Sequence, residues 1–202
     1  MNQKLNKEIA QNLIKIQGET RGVVLKTDSE YIVKEEGKEG VKKIEDKLKE
    51  LGCSIKYKEI ETLNFYPIGL RILSLLVIKE IFNYNDDKIK KMGFFATKTS
   101  LIIKLFVQYF LSLERVVYKE SPKMWRKHYT IGELVPIELN QEKKYGILRL
   151  KNCDLHPTFC CYLGGYFCGI LQMLIKTPQI NFEETKCSFR GDKYHEYLIK
   201  WQ

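Results

Sequence analysis

The stretch Glu184-Thr185-Lys186-Cys187-Ser188-Phe189-Arg190-Gly191-Asp192-Lys193-Tyr194-His195 reads as the tip of a β-hairpin that also carries metal-binding donors. Strand-forming residues flank it over 180–189 and 194–201, and Gly191-Asp192 supplies the turn between them. Around that turn stand a carboxylate (Glu184), a thiol (Cys187) and an imidazole (His195), the O, S and N donor types that hold borderline cations such as Zn²⁺. A tetrahedral site needs a fourth donor. Cys160 and Cys161, just before an apolar segment, are the candidates: one is the ligand and the other packing.

Outward from this tip, residues 158–175 read as a helix interrupted by Gly164, Gly165 and Gly169, which permit another backbone to approach at a helix-propensity cost near ~1 kcal/mol each. Residues 129–139 and 145–150 are β-rich, with 140–144 as a hairpin loop. Pro136 places the first of these strands at an edge or in a bulge. Before Pro122 the pattern is helical. Leu5, Ile9, Leu13 and Ile16 make a short amphipathic arm, and 41–51 is a charged helix stopped by Gly52. Pro67 opens a helix with an apolar face at Leu70, Leu73, Val77 and Ile81. Asp86-Asp87 begin another, and 101–113 is apolar enough to be central core. The expected class is α+β, with N-terminal helices packed on a C-terminal twisted antiparallel sheet and a Gly-rich helix between strands. Residues 1–20 form a helical arm, and 21–202 a single domain.

At 202 residues the chain can bury one substantial core. The net charge of +9 raises nucleic acid as a partner, but Lys and Glu are interleaved as on a solvated helix face, and no helix-turn-helix, RNP or zinc-finger spacing occurs. The apolar run 72–78, bounded by Arg71 and by Lys79-Glu80, falls short of the ~20 residues a membrane span requires. Six cysteines and a polar start place the chain in a reducing cytoplasm.

From Cys160 through Leu163-Gly164-Gly165-Tyr166 and Cys168-Gly169-Ile170-Leu171, then Glu184-Thr185-Lys186-Cys187 and Gly191-Asp192, the chain resembles a 4-vinyl-reductase-type ligand-binding domain. The resemblance covers residues 125–201 most closely. It belongs to a wider superfamily with TRAPP vesicle-transport subunits and haem nitric-oxide-binding domains. It implies a structural Zn²⁺ on Cys160 or Cys161, Glu184, Cys187 and His195, with His195 where the family has a cysteine. The mid-chain axial histidine and Tyr-x-Ser-x-Arg element of the haem-binding relatives are missing, so haem is not expected.

The function this implies is a cytoplasmic sensor or carrier for an apolar or aromatic small molecule, acting as a homodimer with a separate output protein. Phe106, Tyr109, Phe110 and Tyr166 come from the aromatic-rich stretches, and Trp125 and His128 lie where aromatic-sensing relatives place ligand contacts. The alternatives are a TRAPP-like dimeric scaffold that needs no ligand, and a tetrapyrrole-related enzyme. No Gly-x-Ser-x-Gly elbow, phosphate-binding loop or nicotinamide or flavin motif occurs, so no enzymatic activity is expected.

Overall fold

A computed structural model describes residues 4–99, 112–175, 177 and 179–202. The chain begins with α1 (Lys7–Ile14), capped by Asn6, whose side chain accepts from the Ile9 amide at 2.9 Å. The arm expected over 1–20 lies on the chain's own body: Ala10 is fully buried, and a Cβ on Gly69 would collide with the Leu13 carbonyl. Strand β1 (Glu19–Arg21) pairs antiparallel with β2 (Phe65–Pro67), which launches α3 (Ile68–Phe82).

Between them runs α2 (Gly22–Glu50). Its first half shows no charge alternation and is not apparent from periodicity, whereas its end at Gly52, with φ of 85°, is where turn chemistry puts it. Gly37, at φ 74° and ψ −178°, kinks the helix, a conformation that only glycine takes without strain. Helix α4 (Asp86–Thr99) is capped by Asn85 rather than by the aspartates. The Asn85 side chain accepts from the Lys88 amide at 3.0 Å, and Asp86 and Asp87 lie in the first turn.

After residue 112 come a π-helical stretch (Arg115–Glu120), α5 (Ser121–His128), β3 (Glu133–Asn140) and β4 (Tyr145–Lys151). Helix α6 (Pro157–Ile175) then leads to β5 (Ile180–Lys186) and β6 (His195–Trp201). The four strands form an antiparallel sheet in the order β3-β4-β6-β5. Pro136 lies at a bulge in edge strand β3, where a missing amide hydrogen is tolerated. The expected 101–113 core helix falls outside the described residues, except for its last two positions.

Helix α6 is packed on both sides. Towards α4, a Cβ on Gly165 would collide with the Lys90 carbonyl, one on Gly93 with the Tyr162 carbonyl and one on Gly169 with the Thr97 side chain. The two helices therefore cross backbone to backbone. Towards the sheet, Phe167 meets Tyr197 at 5.3 Å between ring centroids, and Phe182 fills the space beside Gly164. Among the described residues α6, rather than the 72–78 run, is the helix long and apolar enough to cross a membrane, and more than half of it is buried in this fold. Each large apolar side chain so buried stabilises by roughly 1.5–3 kcal/mol, which offsets the cost of the glycines.

Candidate functional site

Two constellations flank the first turns of α6. On one side the hairpin tip closes against the helix. Cys160, Glu184, Cys187 and His195 bring one donor atom each to within 4.8 Å of one another, and only Glu184 is more than slightly exposed. Cys161 is not part of this group. Successive helical residues point ~100° apart, and its thiol faces Asp86 on α4.

The His195 ring sits at the centre of the cluster. Its Nε2 lies 2.9 Å from the Ser188 hydroxyl and 3.6 Å from an Asp154 carboxylate oxygen, while Nδ1 meets both Glu184 Oε1 at 3.0 Å and Cys160 Sγ at 3.5 Å. The Glu184 carboxylate can only accept, so as the side chains stand Nδ1–H donates to it and the Ser188 hydroxyl donates to Nε2. A cation held on Nδ1 would require the proton to move to Nε2, where Ser188 can accept it. The turn holds this geometry: Gly191 takes φ 95°, and the Asp192 carboxylate accepts from the Cys187 amide at 2.8 Å. Burial pushes the Cys160 and Cys187 thiols up, and the Glu184 charge adds to this in both. A cation reverses that shift. Ser188 escapes a reading of the sequence, because a hydroxyl next to a ligand is too common to be distinctive.

On the other side lies a buried ion pair that sequence reading takes only as a helix interruption. Arg71 is fully buried. Its Nε donates to Asp28 Oδ2 at 2.9 Å and its Nη1 to the Tyr129 hydroxyl at 2.7 Å, and its guanidinium lies 4.3 Å from the Tyr162 ring centroid. Burial works against the Arg71 charge, and the Asp28 carboxylate together with Tyr129 and Tyr162 more than restores it. Burial raises the Tyr162 pKa well above its ordinary value, and the Asp28 charge adds to this. No periodicity links residues 28 and 71, so this pairing could not be read in advance.

Tyr129 and Tyr162 form the boundary between that network and an apolar cavity of about 150 Å³, enclosed by α5, α6, the sheet and the start of α2. Trp125, His128 and Tyr166 line it, whereas Phe106, Tyr109 and Phe110 lie outside the described residues. Trp125 stacks on Tyr129 at 4.4 Å, and its indole N–H donates to the Ile131 carbonyl at 3.0 Å. His128 Nδ1 lies 2.9 Å from the Met124 carbonyl, which can only accept, so Nδ1 carries the proton and Nε2 the lone pair. Burial lowers the His128 pKa, and Arg21, Lys127 and Arg71 lower it further against the Met124 hydrogen bond, so the ring is neutral. Among the described residues no lysine, arginine, aspartate or glutamate lines the cavity.

No family model and no curated protein matches this chain. Solved structures do. The crystal structure of an H-NOX protein from Shewanella oneidensis in the Fe(II)NO ligation state is 16% identical, covering 90% of this chain and 99% of its own, with a TM-score of 0.69. The Fe(II) unliganded H-NOX protein from K. algicida is 12% identical, covering 89% of this chain and 95% of its own, with a TM-score of 0.62. A third structure, solved for work on haem redox potential and porphyrin distortion, is 17% identical with a TM-score of 0.57, covering 90% of this chain and 99% of its own. At these identities the likeness is one of fold.

That fold corrects the sequence reading. The neighbours are H-NOX, haem NO/oxygen-binding domains, so the likeness to 4-vinyl-reductase-type domains and the TRAPP-like alternative do not stand. A Glu-x-x-Cys beside a Gly-Asp turn is a local feature of a hairpin closing on a helix, and it does not distinguish the folds that contain one. The expectation of zinc as cofactor with haem set aside rested on the same likeness and is overturned with it, since these neighbours are described by iron ligation states.

For haem itself the described residues fit in part. His128 offers a neutral imidazole with a lone pair on Nε2 in an apolar wall, which suits an axial ligand. The described wall holds no lysine or arginine for the propionates, and its volume is of the scale that holds benzene, about 150 Å³.

Proposed function

We propose that this chain is a small-molecule-binding sensor domain whose ligand occupies the cavity between α5, α6 and the sheet. The observation that carries this reading is the single neutral imidazole, His128, with a fixed tautomer in an otherwise uncharged wall. Ligand sites combine apolar walls with a few placed polar groups. The ligand is apolar, of about benzene size in this conformation, and carries one polar hydrogen for His128 Nε2 to accept. The π-helical stretch beside the cavity supports the reading, because such segments gather at functional sites. Homodimerisation and output through a separate protein belong to the same proposal, and light scattering tests the first.

Thermal shift with two probes of equal shape, phenol and toluene, tests the site. Phenol is expected to raise the melting temperature more than toluene, and His128→Phe to remove the difference. No shift with either probe would sink the cavity reading. A second reading, haem in the same cavity, is favoured by the His128 tautomer. Titration with hemin under reducing conditions is then expected to give a Soret band that His128→Ala abolishes, and a band unaffected by the variant removes His128 as the ligand.

The four donors at the hairpin tip support a further element of the proposal: a divalent, thiolate-accepting cation that fastens β5 and β6 to α6 through Cys160, Glu184, Cys187 and His195. With four protein donors it has no open position for chemistry, so its role is structural. Titration with Co²⁺ is expected to give thiolate charge-transfer absorption in the wild type and none in Cys187→Ala.

A further inference from the structure

The sequence holds two short basic runs, Lys88-Ile89-Lys90-Lys91 and Lys123-Met124-Trp125-Arg126-Lys127-His128. The structure treats them differently. In the first, Lys88 pairs with Glu35 at 2.8 Å and Lys90 with Asp87 at 3.8 Å. The second lies on α5, and from residue 115 to 128 the one acidic residue is Glu120. Its carboxylate is shared by Arg115 at 3.7 Å and Lys123 at 3.5 Å. Among the described residues Lys119, Arg126 and Lys127 form no ion pair.

Helical spacing sorts α5 into two faces. Ser121, Met124, Trp125 and His128 turn inward and line the cavity. Lys123, Arg126 and Lys127, at i, i+3 and i+4, are exposed on the other side. Lys119, four residues earlier in the π-helical stretch, is exposed too and lengthens the row to ~12 Å at 1.5 Å per residue. Tyr118, 44% exposed, stands next to it. The row is held in place from one end: Arg21 donates through Nε to the Lys127 carbonyl and through Nη1 to the Leu63 carbonyl at 2.8 Å, which fastens the end of α5 to β1.

A fixed row of cations that the chain's own acids leave unneutralised is complemented by a surface of opposite sign. Arginine and tyrosine are also the side chains that anchor protein interfaces. A lipid surface is a poorer match, since α5 turns its apolar face to the cavity and has none left to insert. Nucleic acid is poorer as well, because one exposed aromatic gives no succession of stacking platforms.

We infer that the outer face of α5 is the docking surface for an acidic segment of a partner protein. Lys119, Lys123, Arg126 and Lys127 meet its carboxylates, and Tyr118 supplies the apolar contact. The inference rests on the reading of output through a separate protein, and not on what fills the cavity.

The probe is a short labelled peptide rich in Asp and Glu with a central Leu, titrated with the full chain and followed by fluorescence anisotropy. Lys119→Glu, Arg126→Glu and Lys127→Glu together are expected to weaken binding roughly 10–100-fold, because like charges then face one another. Lys38→Glu, Lys42→Glu and Lys43→Glu, at exposed positions of α2, lower the net charge equally. They should change the affinity less than about twofold, since physiological salt screens each charge beyond ~8 Å. Replacing the same three α5 residues with Gln puts no acid at the negative end of the helix, and should give an intermediate loss at an unchanged melting temperature. Tyr118→Ser should weaken binding at every salt concentration. Equal losses in the two reversal sets reduce the effect to net charge and overturn the surface, leaving output to another face. Absence of peptide binding at low salt does the same. Phosphatidylserine vesicles or duplex DNA bound more tightly than the peptide, and released by the α5 reversals, overturn the protein partner.

Discussion

Two polar clusters meet the first turns of α6: Asp28 and Arg71 through Tyr162, and Glu184, Cys187 and His195 through Cys160. Both are buried and both draw on distant parts of the chain. In the first, the carboxylate meets a guanidinium in two contacts, 2.9 and 3.4 Å, and a tyrosine hydroxyl takes a further N–H. In the second, an imidazole, a carboxylate and two sulfurs face one another with no cationic side chain among them, and the buried Tyr197 hydroxyl on the same strand has no acceptor. The difference separates a cluster completed by its own charges from one whose donors face only one another, the arrangement from which the cation proposal starts. Burial alone does not make that distinction; it comes from the sign and direction of the groups.

The largest expected effect tests the self-completed side. Asp28→Ala strands the Arg71 charge in the core and should cost about 3–5 kcal/mol in denaturant unfolding, whereas replacing Asp28 and Arg71 together with apolar residues of similar volume should recover much of it. A loss under about 1 kcal/mol in the single variant would show that water reaches the pair.

The next effect tests the other side. At a Co²⁺ concentration a hundredfold above its dissociation constant, mass action stabilises the wild type by about 2.7 kcal/mol. Asp28→Ala should keep that increment and Cys187→Ala should lose it. If both keep it, the cation binds elsewhere and the contrast between the clusters collapses.

A smaller effect concerns the helix that carries both. Gly165→Ala drives a methyl group into the Lys90 carbonyl and should destabilise by about 1–3 kcal/mol through overpacking. Gly191→Ala meets no atom within 4 Å but carries a φ of 95°, so it should alter the hairpin tip and Co²⁺ affinity rather than the core. Equal Co²⁺ affinities in the two variants would contradict this.

The smallest is a pH effect on the cavity side. Burial lowers the pKa of both His128 and His156. Between the unfolded value, about 6.5, and the lower folded one, the unfolded chain binds more protons, so stability should fall as pH drops below that point. His128→Gln should leave only the His156 share of the slope just below about pH 6.5, and an unchanged slope would mean that His128 is solvated.

Sequence periodicity and turn chemistry carried most of the secondary structure. Pro67 before α3, Gly52 after α2, the bulge at Pro136 and the Gly191-Asp192 turn lie where local sterics require them. The close approach permitted by Gly164, Gly165 and Gly169 was legible too, although the partner was not: α4 and Phe182 fill it. The convergence of Cys160 with the hairpin tip could be anticipated only as a choice between neighbours. Resolving it needed the helix's rotational setting, which depends on how the glycines of α6 seat against α4.

Which segments are helix and which are strand, and that donors of the right kind stand at a turn, follow from residues a few positions apart and so are written in the chain's local pattern. Three-dimensional packing was needed to pair Arg71 with Asp28, to turn Cys160 rather than Cys161 towards His195, to leave the Tyr197 hydroxyl unmet, and to reveal a fold shared with H-NOX domains. Each of these depends on the relative placement of elements far apart in the chain. That placement is set by the summed packing of the core, which no short motif encodes.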